Sequence, residues 1–154
     1  MLKSKCLLAA AGGLLTAALI ASPVSSQAAP TVTPFQIVLN GTMSPGTEGL
    51  NLTFTAPAGK TLVIEYVSGN CFVPSGQSCV ISILTEVGAA KTGTPFNLDT
   101  DNVGAFGGGN DLWRAGQQVL LYAAGGTTVT LRADRNASTG SAMPIVMSLS
   151  GHLQ

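Results

Sequence analysis

Between positions 99 and 113 the chain reads Asp-Thr-Asp-Asn-Val-Gly-Ala-Phe-Gly-Gly-Gly-Asn-Asp-Leu-Trp, a run rich in side chains able to hold a ligand. Asp99, Asp101, Asn102, Asn110 and Asp111 offer the oxygen donors that a hard cation such as calcium prefers. The spacing departs from an EF-hand, because the fifth position counted from Asp99 is the apolar Val103. Residues 107–111 faintly echo the calcium-binding nonapeptide without repeating it. Phe106 and Trp113 offer aromatic faces on which a sugar ring could stack, with the nearby amides and acids available to its hydroxyls. Turns use Asx and Gly for backbone reasons alone, and a lone Trp in a small β-domain also serves as core. The segment reads as a long, glycine-rich, acidic loop, and such loops are where binding residues gather.

Other chemistry finds less support. Cys71 and Cys79 flank Phe-Val-Pro-Ser-Gly-Gln-Ser, a turn-rich stretch. An even pair in an exported chain reads as a disulfide. Seven intervening residues do not match Cys-x-x-Cys, and no nearby His completes a metal site. A Ser nucleophile needs a base. The one histidine, His152, lies near the end of the last apparent strand, and no Gly-x-Ser-x-Gly elbow occurs. The glycines at 107–109 lack the following Lys of a phosphate loop. Seven acids could supply a carboxylate pair, but nothing in the sequence selects one. Asn40-Gly-Thr, Asn51-Leu-Thr and Asn136-Ala-Ser match the glycosylation triplet, which is common in Thr-rich chains.

The elements that would position these residues show mostly as period-two alternation. Residues 50–55 switch strictly between apolar and polar, and 128–134, 145–150 and 35–39 follow the same pattern. Residues 61–67 and 80–84 are apolar on both faces and β-branched, as central strands tend to be, and 118–123 is a further apolar run. Pro45-Gly46, Pro57-Ala58-Gly59, Ser68-Gly69-Asn70, Gly93-Thr94-Pro95, Ala115-Gly116 and Gly125-Gly126 read as turns between them. We expect seven or eight strands in an all-β, antiparallel β-sandwich, jelly-roll or immunoglobulin-like in form. A closed β-barrel is the alternative.

The amino terminus has three zones: basic Lys3 and Lys5, an uncharged run from Cys6 to Ile20, and small residues from Ser22 onward. That series is a secretory signal peptide, with Ser26 and Ala28 at the −3 and −1 positions of cleavage. The apolar run is shorter than the roughly 20 residues of a membrane span. We therefore divide the chain into residues 1–28, removed, and 29–154, a single domain. The processed part has 126 residues, enough for one core, with five basic and seven acidic side chains and no basic patch. Nucleic acid is thus excluded as a partner, and no membrane span is expected after processing. Charged residues are 9% of the chain, so Thr, Ser, Asn and Gly must supply the surface.

Pro57-Ala-Gly-Lys-Thr-Leu-Val-Ile-Glu-Tyr-Val-Ser-Gly-Asn-Cys71 and Gln117-Gln-Val-Leu-Leu-Tyr-Ala-Ala-Gly-Gly-Thr-Thr-Val-Thr-Leu131 resemble small exported β-sandwich proteins of Gram-negative bacteria. The resemblance implies a periplasmic or secreted location and carries no activity. The expectation is a non-enzymatic binding or structural module of the envelope or medium. Its partner would be a glycan, another envelope protein or a second copy. No cofactor is expected, with calcium the one candidate. The rival readings are a self-assembling pilus-like or adhesin subunit, a carbohydrate-binding module and a small hydrolase.

Overall fold

A computed structural model of the chain describes residues 32–87, 93 and 95–154. The signal peptide expected at 1–28, with its expected cleavage site, lies outside the described residues. Among the described residues nine strands follow one another: β1 (Thr33–Met43), β2 (Gly49–Thr55), β3 (Leu62–Pro74), β4 (Cys79–Thr85), β5 (Phe96–Leu98), β6 (Thr100–Gly107), β7 (Asn110–Ala123), β8 (Thr128–Arg135) and β9 (Met143–Leu153). They form a five-stranded sheet in the order β1-β9-β3-β7-β6 and a four-stranded sheet in the order β2-β8-β4-β5. Every pairing is antiparallel. The two sheets keep separate edges, so the fold is a β-sandwich and not a closed barrel.

The alternating runs all became strands, and their apolar positions form the core. Leu62, Ile64, Val67, Cys71 and Val73 of β3 pack with Ile145, Met147 and Leu149 of β9. Ile81, Ile83, Val129, Leu131 and Ala133 meet them from the opposite sheet. The register shifts between Ile64 and Tyr66: against β9 the extra residue is Glu65 of β3, whereas against β7 the extra residue lies in β7. This shift resets the alternation, so that Val67 faces inward after Ile64.

Two stretches expected as turns lie inside strands. Gly69 of β3 sits opposite Ala115 of β7, and Ser68 opposite Gly116. These are small residues because other side chains need their space. A Cβ on Gly69 would come within 2.6 Å of Ile81 Cδ1, and one on Gly116 within 2.6 Å of Tyr66 Oη.

Arg135 is buried at the end of β8. Its guanidinium donates to the carbonyls of Thr47, Ser44, Ser138 and Ser141 at 2.8–3.2 Å. One side chain thus ties the β1–β2 connection to the β8–β9 connection.

Candidate functional site

The segment expected as a loop is a β-hairpin. Gly107 pairs with Asn110, leaving Gly108 and Gly109 as a two-residue turn with φ of 61° and 75°. Positive φ at both central positions is the type I′ geometry that suits strand twist, and glycine reaches it without strain. The register shifts between Asn102 and Gly104 and again between Ala105 and Gly107, so β6 is an irregular edge strand. Low strand propensity and missing alternation hid it, while the hydrogen bonds to β7 build it.

This ladder separates the candidate ligand residues instead of gathering them. Trp113 lies opposite Cys71 and packs half-buried against the core. Its Nε1 donates to the Gln77 carbonyl at 3.1 Å. Asp111 accepts from Ser75 Oγ at 3.0 Å and from the Gly76 N–H at 3.2 Å. The Ser75 N–H donates to the Gly109 carbonyl at 2.9 Å. Cys71 and Cys79 are joined in a disulfide that closes the same 74–78 turn. The start of β7 therefore grips the disulfide loop, and Trp113 and Asp111 are committed to that task. Asn102 is spent locally, accepting the Gly104 N–H at 2.7 Å. Asp99 precedes β6, and its N–H donates to Gln117 Oε1 at 3.3 Å.

The outward face of the same end is different. Phe106, 63% exposed, rests on Phe72 with ring centroids 4.7 Å apart. Phe72, Phe106, Gly107, Gly108, Asn110 and Pro144 line an open groove of about 530 Å³. The adjacent row across β3, β7 and β6 is polar: Asn70 lies opposite Arg114, and Arg114 opposite Asp101. Arg114 Nε donates to Asn70 Oδ1 at 3.1 Å. Asn110 Oδ1 is buried with no hydrogen-bond partner among the described residues, an unmet acceptor beside the groove. The sequence names Asp101, Phe106 and Asn110 of this site but not Phe72, Asn70, Arg114 and Pro144. Cross-strand register alone brings those four to it.

Among the described residues no group of three or more His, Cys, Asp or Glu comes together to hold a metal ion. His152 faces Glu65, with Nδ1 3.3 Å from Oε1, on the outward side of the same sheet. On the opposite sheet Arg132 hydrogen-bonds Asp134, and that bond with the neighbouring charge raises the Arg132 pKa above its ordinary value. No helix of the described residues is long and apolar enough to cross a membrane.

No family model matches the chain, and no curated protein matches it. Among solved structures it is similar to that of infectious bursal disease virus Gt strain, at 14% identity over 77% of this chain and 32% of that one, with a TM-score of 0.45. It is also similar to the infectious bursal disease virus VP2 subviral particle, at 14% identity over 80% of this chain and 33% of that one, with a TM-score of 0.48. The chain spans about a third of the length of these structures.

Proposed function

We propose that this chain is an exported, non-enzymatic binding module, periplasmic or secreted, that takes its ligand on the outward face of the β6–β7 end. The observation that carries this reading is Phe106, held exposed on Phe72 beside the Asn70–Arg114–Asp101 row. The part of the Phe106 ring left facing water adds nothing to folding, and its burial by a partner is favourable. The polar row beside it supplies a guanidinium, an amide and a carboxylate at a fixed spacing. A flat apolar shelf next to such groups suits a sugar ring, whose faces are apolar and whose edge carries hydroxyls. Glycan is therefore the ligand class we favour over another envelope protein. Export rests on the three-zone amino terminus at 1–28, and the Cys71–Cys79 bond accords with an oxidising compartment.

A glycan array probed with the processed protein, with and without calcium, tests the proposal. Binding lost in Phe106→Ser, with thermal stability unchanged, is the expected result. Binding that survives Phe106→Ser moves the site elsewhere. The absence of any glycan ligand in either condition overturns the ligand class.

A further inference from the structure

We propose that the outer edge of β1 pairs with the same edge of a second copy of this chain, antiparallel and centred on Val38. This surface is distinct from the hairpin groove and goes beyond the binding role proposed for it.

Four strands lie at sheet edges: β1 and β6 in one sheet, β2 and β5 in the other. Sheet edges carry unpaired N–H and C=O groups, and proteins block them with bulges, short strands, charge or proline. β6 has two register shifts. β5 is three residues long. β1 has neither device. It runs for 11 residues in unbroken register with β9. It contains no Lys, Arg, Asp or Glu, and neither does β2, which lies beside it through the Phe35–Phe54 ring contact at 5.8 Å.

The groups on that edge follow from the ladder. Thr61 and Gln154 exchange both backbone hydrogen bonds, at 2.9 and 3.0 Å, just beyond the Leu62–Leu153 pair. Bonding direction alternates along an antiparallel strand. His152 and the other even-numbered residues of β9 therefore bond to β3, and the odd-numbered ones to β1. The partners of the latter on β1 are Thr33, Phe35, Ile37, Leu39, Gly41 and Met43. The even-numbered residues Pro34, Gln36, Val38, Asn40 and Thr42 are left to point their backbone groups away from the sheet. Pro34 has no N–H to offer, so the bonding edge begins at Gln36.

This edge is complementary to itself. Val38 is the midpoint of β1 and belongs to the outward-bonding set, so a two-fold axis there aligns the whole strand with its copy. Gln36 then lies opposite Asn40 of the second copy, and the two carboxamides can hydrogen-bond. Val38, 53% exposed, meets its own copy in a β-branched cross-strand pair. No residue of β1 carries a charge that would select another partner, the Lys60 ammonium meeting only its first residue, Thr33, at 3.5 Å, and the join continues the five-stranded sheet of each copy.

Sizing chromatography with light scattering on the purified protein, as the cell produces it, tests the pairing. We expect a dimer that dissociates on dilution. Val38→Lys places like charges opposite each other and should raise the dissociation constant about tenfold or more. Gln36→Pro removes an outward N–H without touching the β9 ladder and should do the same, which covers the case of a Val38→Lys chain that fails to fold. Val103→Lys, an exposed change on the opposite edge strand β6, should leave the dimer intact. A monomer at all concentrations up to about 1 mM overturns the proposal. So does a dimer indifferent to both β1 changes, or one dispersed by Val103→Lys alone.

Discussion

Trp113 and Arg135 hold parts of the chain that are distant in sequence, and each does so through donors aimed at main-chain carbonyls. The Trp113 ring spans from the core to the disulfide loop, where its N–H meets Gln77. Trp113→Ala is expected to cost about 3 kcal/mol in denaturant unfolding, the low end for aromatic truncation because the ring is half-buried. Trp113→Phe keeps most of the packing and leaves one carbonyl unserved, so its cost should be about 1 kcal/mol. Equal losses for the two variants would show that the ring contributes little. Arg135→Lys keeps the charge but loses the planar fork that reaches four carbonyls, and a loss of roughly 2–3 kcal/mol is expected. An unchanged unfolding midpoint would remove Arg135 from this role. At this scale the sequence was uneven. The Cys71–Cys79 pairing was legible because an even pair of cysteines flanking a short turn, with no metal-ligand spacing and no nearby His, has little else to do. Trp113 was legible as an alternative between core and platform, and the ring packs half-buried against the core. Arg135 was not legible, because its partners are carbonyls, which have no side-chain signature.

Strands with clean alternation were read correctly, whereas strands holding glycine were cut or missed. Residues 61–67 were seen as a strand that would turn at Ser68-Gly69-Asn70, yet β3 continues to Pro74. Gly69 looks like a breaker until its neighbour is known: Ile81 Cδ1 occupies the space that a Cβ would need. Gly69→Ala should therefore overpack the core and cost about 1–3 kcal/mol, measured by thermal or denaturant unfolding. A stabilised variant would show that Ile81 can move aside. Deletion of residues 102–109 would remove most of β6 and the hairpin turn. A connector could be removed quietly, but here the deletion strips an edge strand and exposes β7. The shortened chain should be less stable and more prone to associate, by unfolding and by light scattering. The disulfide acts at this scale as well. Replacing both Cys71 and Cys79 by Ala should lower stability by roughly 2–3 kcal/mol through the chain entropy of the unfolded state, without abolishing the fold.

For the molecule as a whole, composition and periodicity led to an antiparallel sandwich, and the two separate sheets bear that out. Strand order and register were out of reach, and with them the outward groove, since Phe72, Asn110 and Pro144 come from three different strands. Export remains a proposal at this scale. Intact-mass measurement on protein recovered outside the cytoplasm should find a chain starting at Ala29. Recovery there with Met1 to Ala28 still attached would overturn it.

The placement of β9 has a consequence in time. It lies between β1 and β3, and pairs Thr33 with Leu153. A chain that emerges amino-terminus first thus delivers β1 long before β9, its neighbour in the sheet among the described residues. Until the ninth strand arrives, β1 has two open sides, and the five-stranded sheet is split into a lone strand and a β3-β7-β6 remnant. Closure waits on a contact spanning nearly the whole described sequence, which is the kind of non-local step that slows folding and leaves strands exposed to the wrong partner. The uncharged edge of β1 would then be most available to neighbouring chains while the protein is still incomplete. The first strand stays open to such pairing until the last one appears.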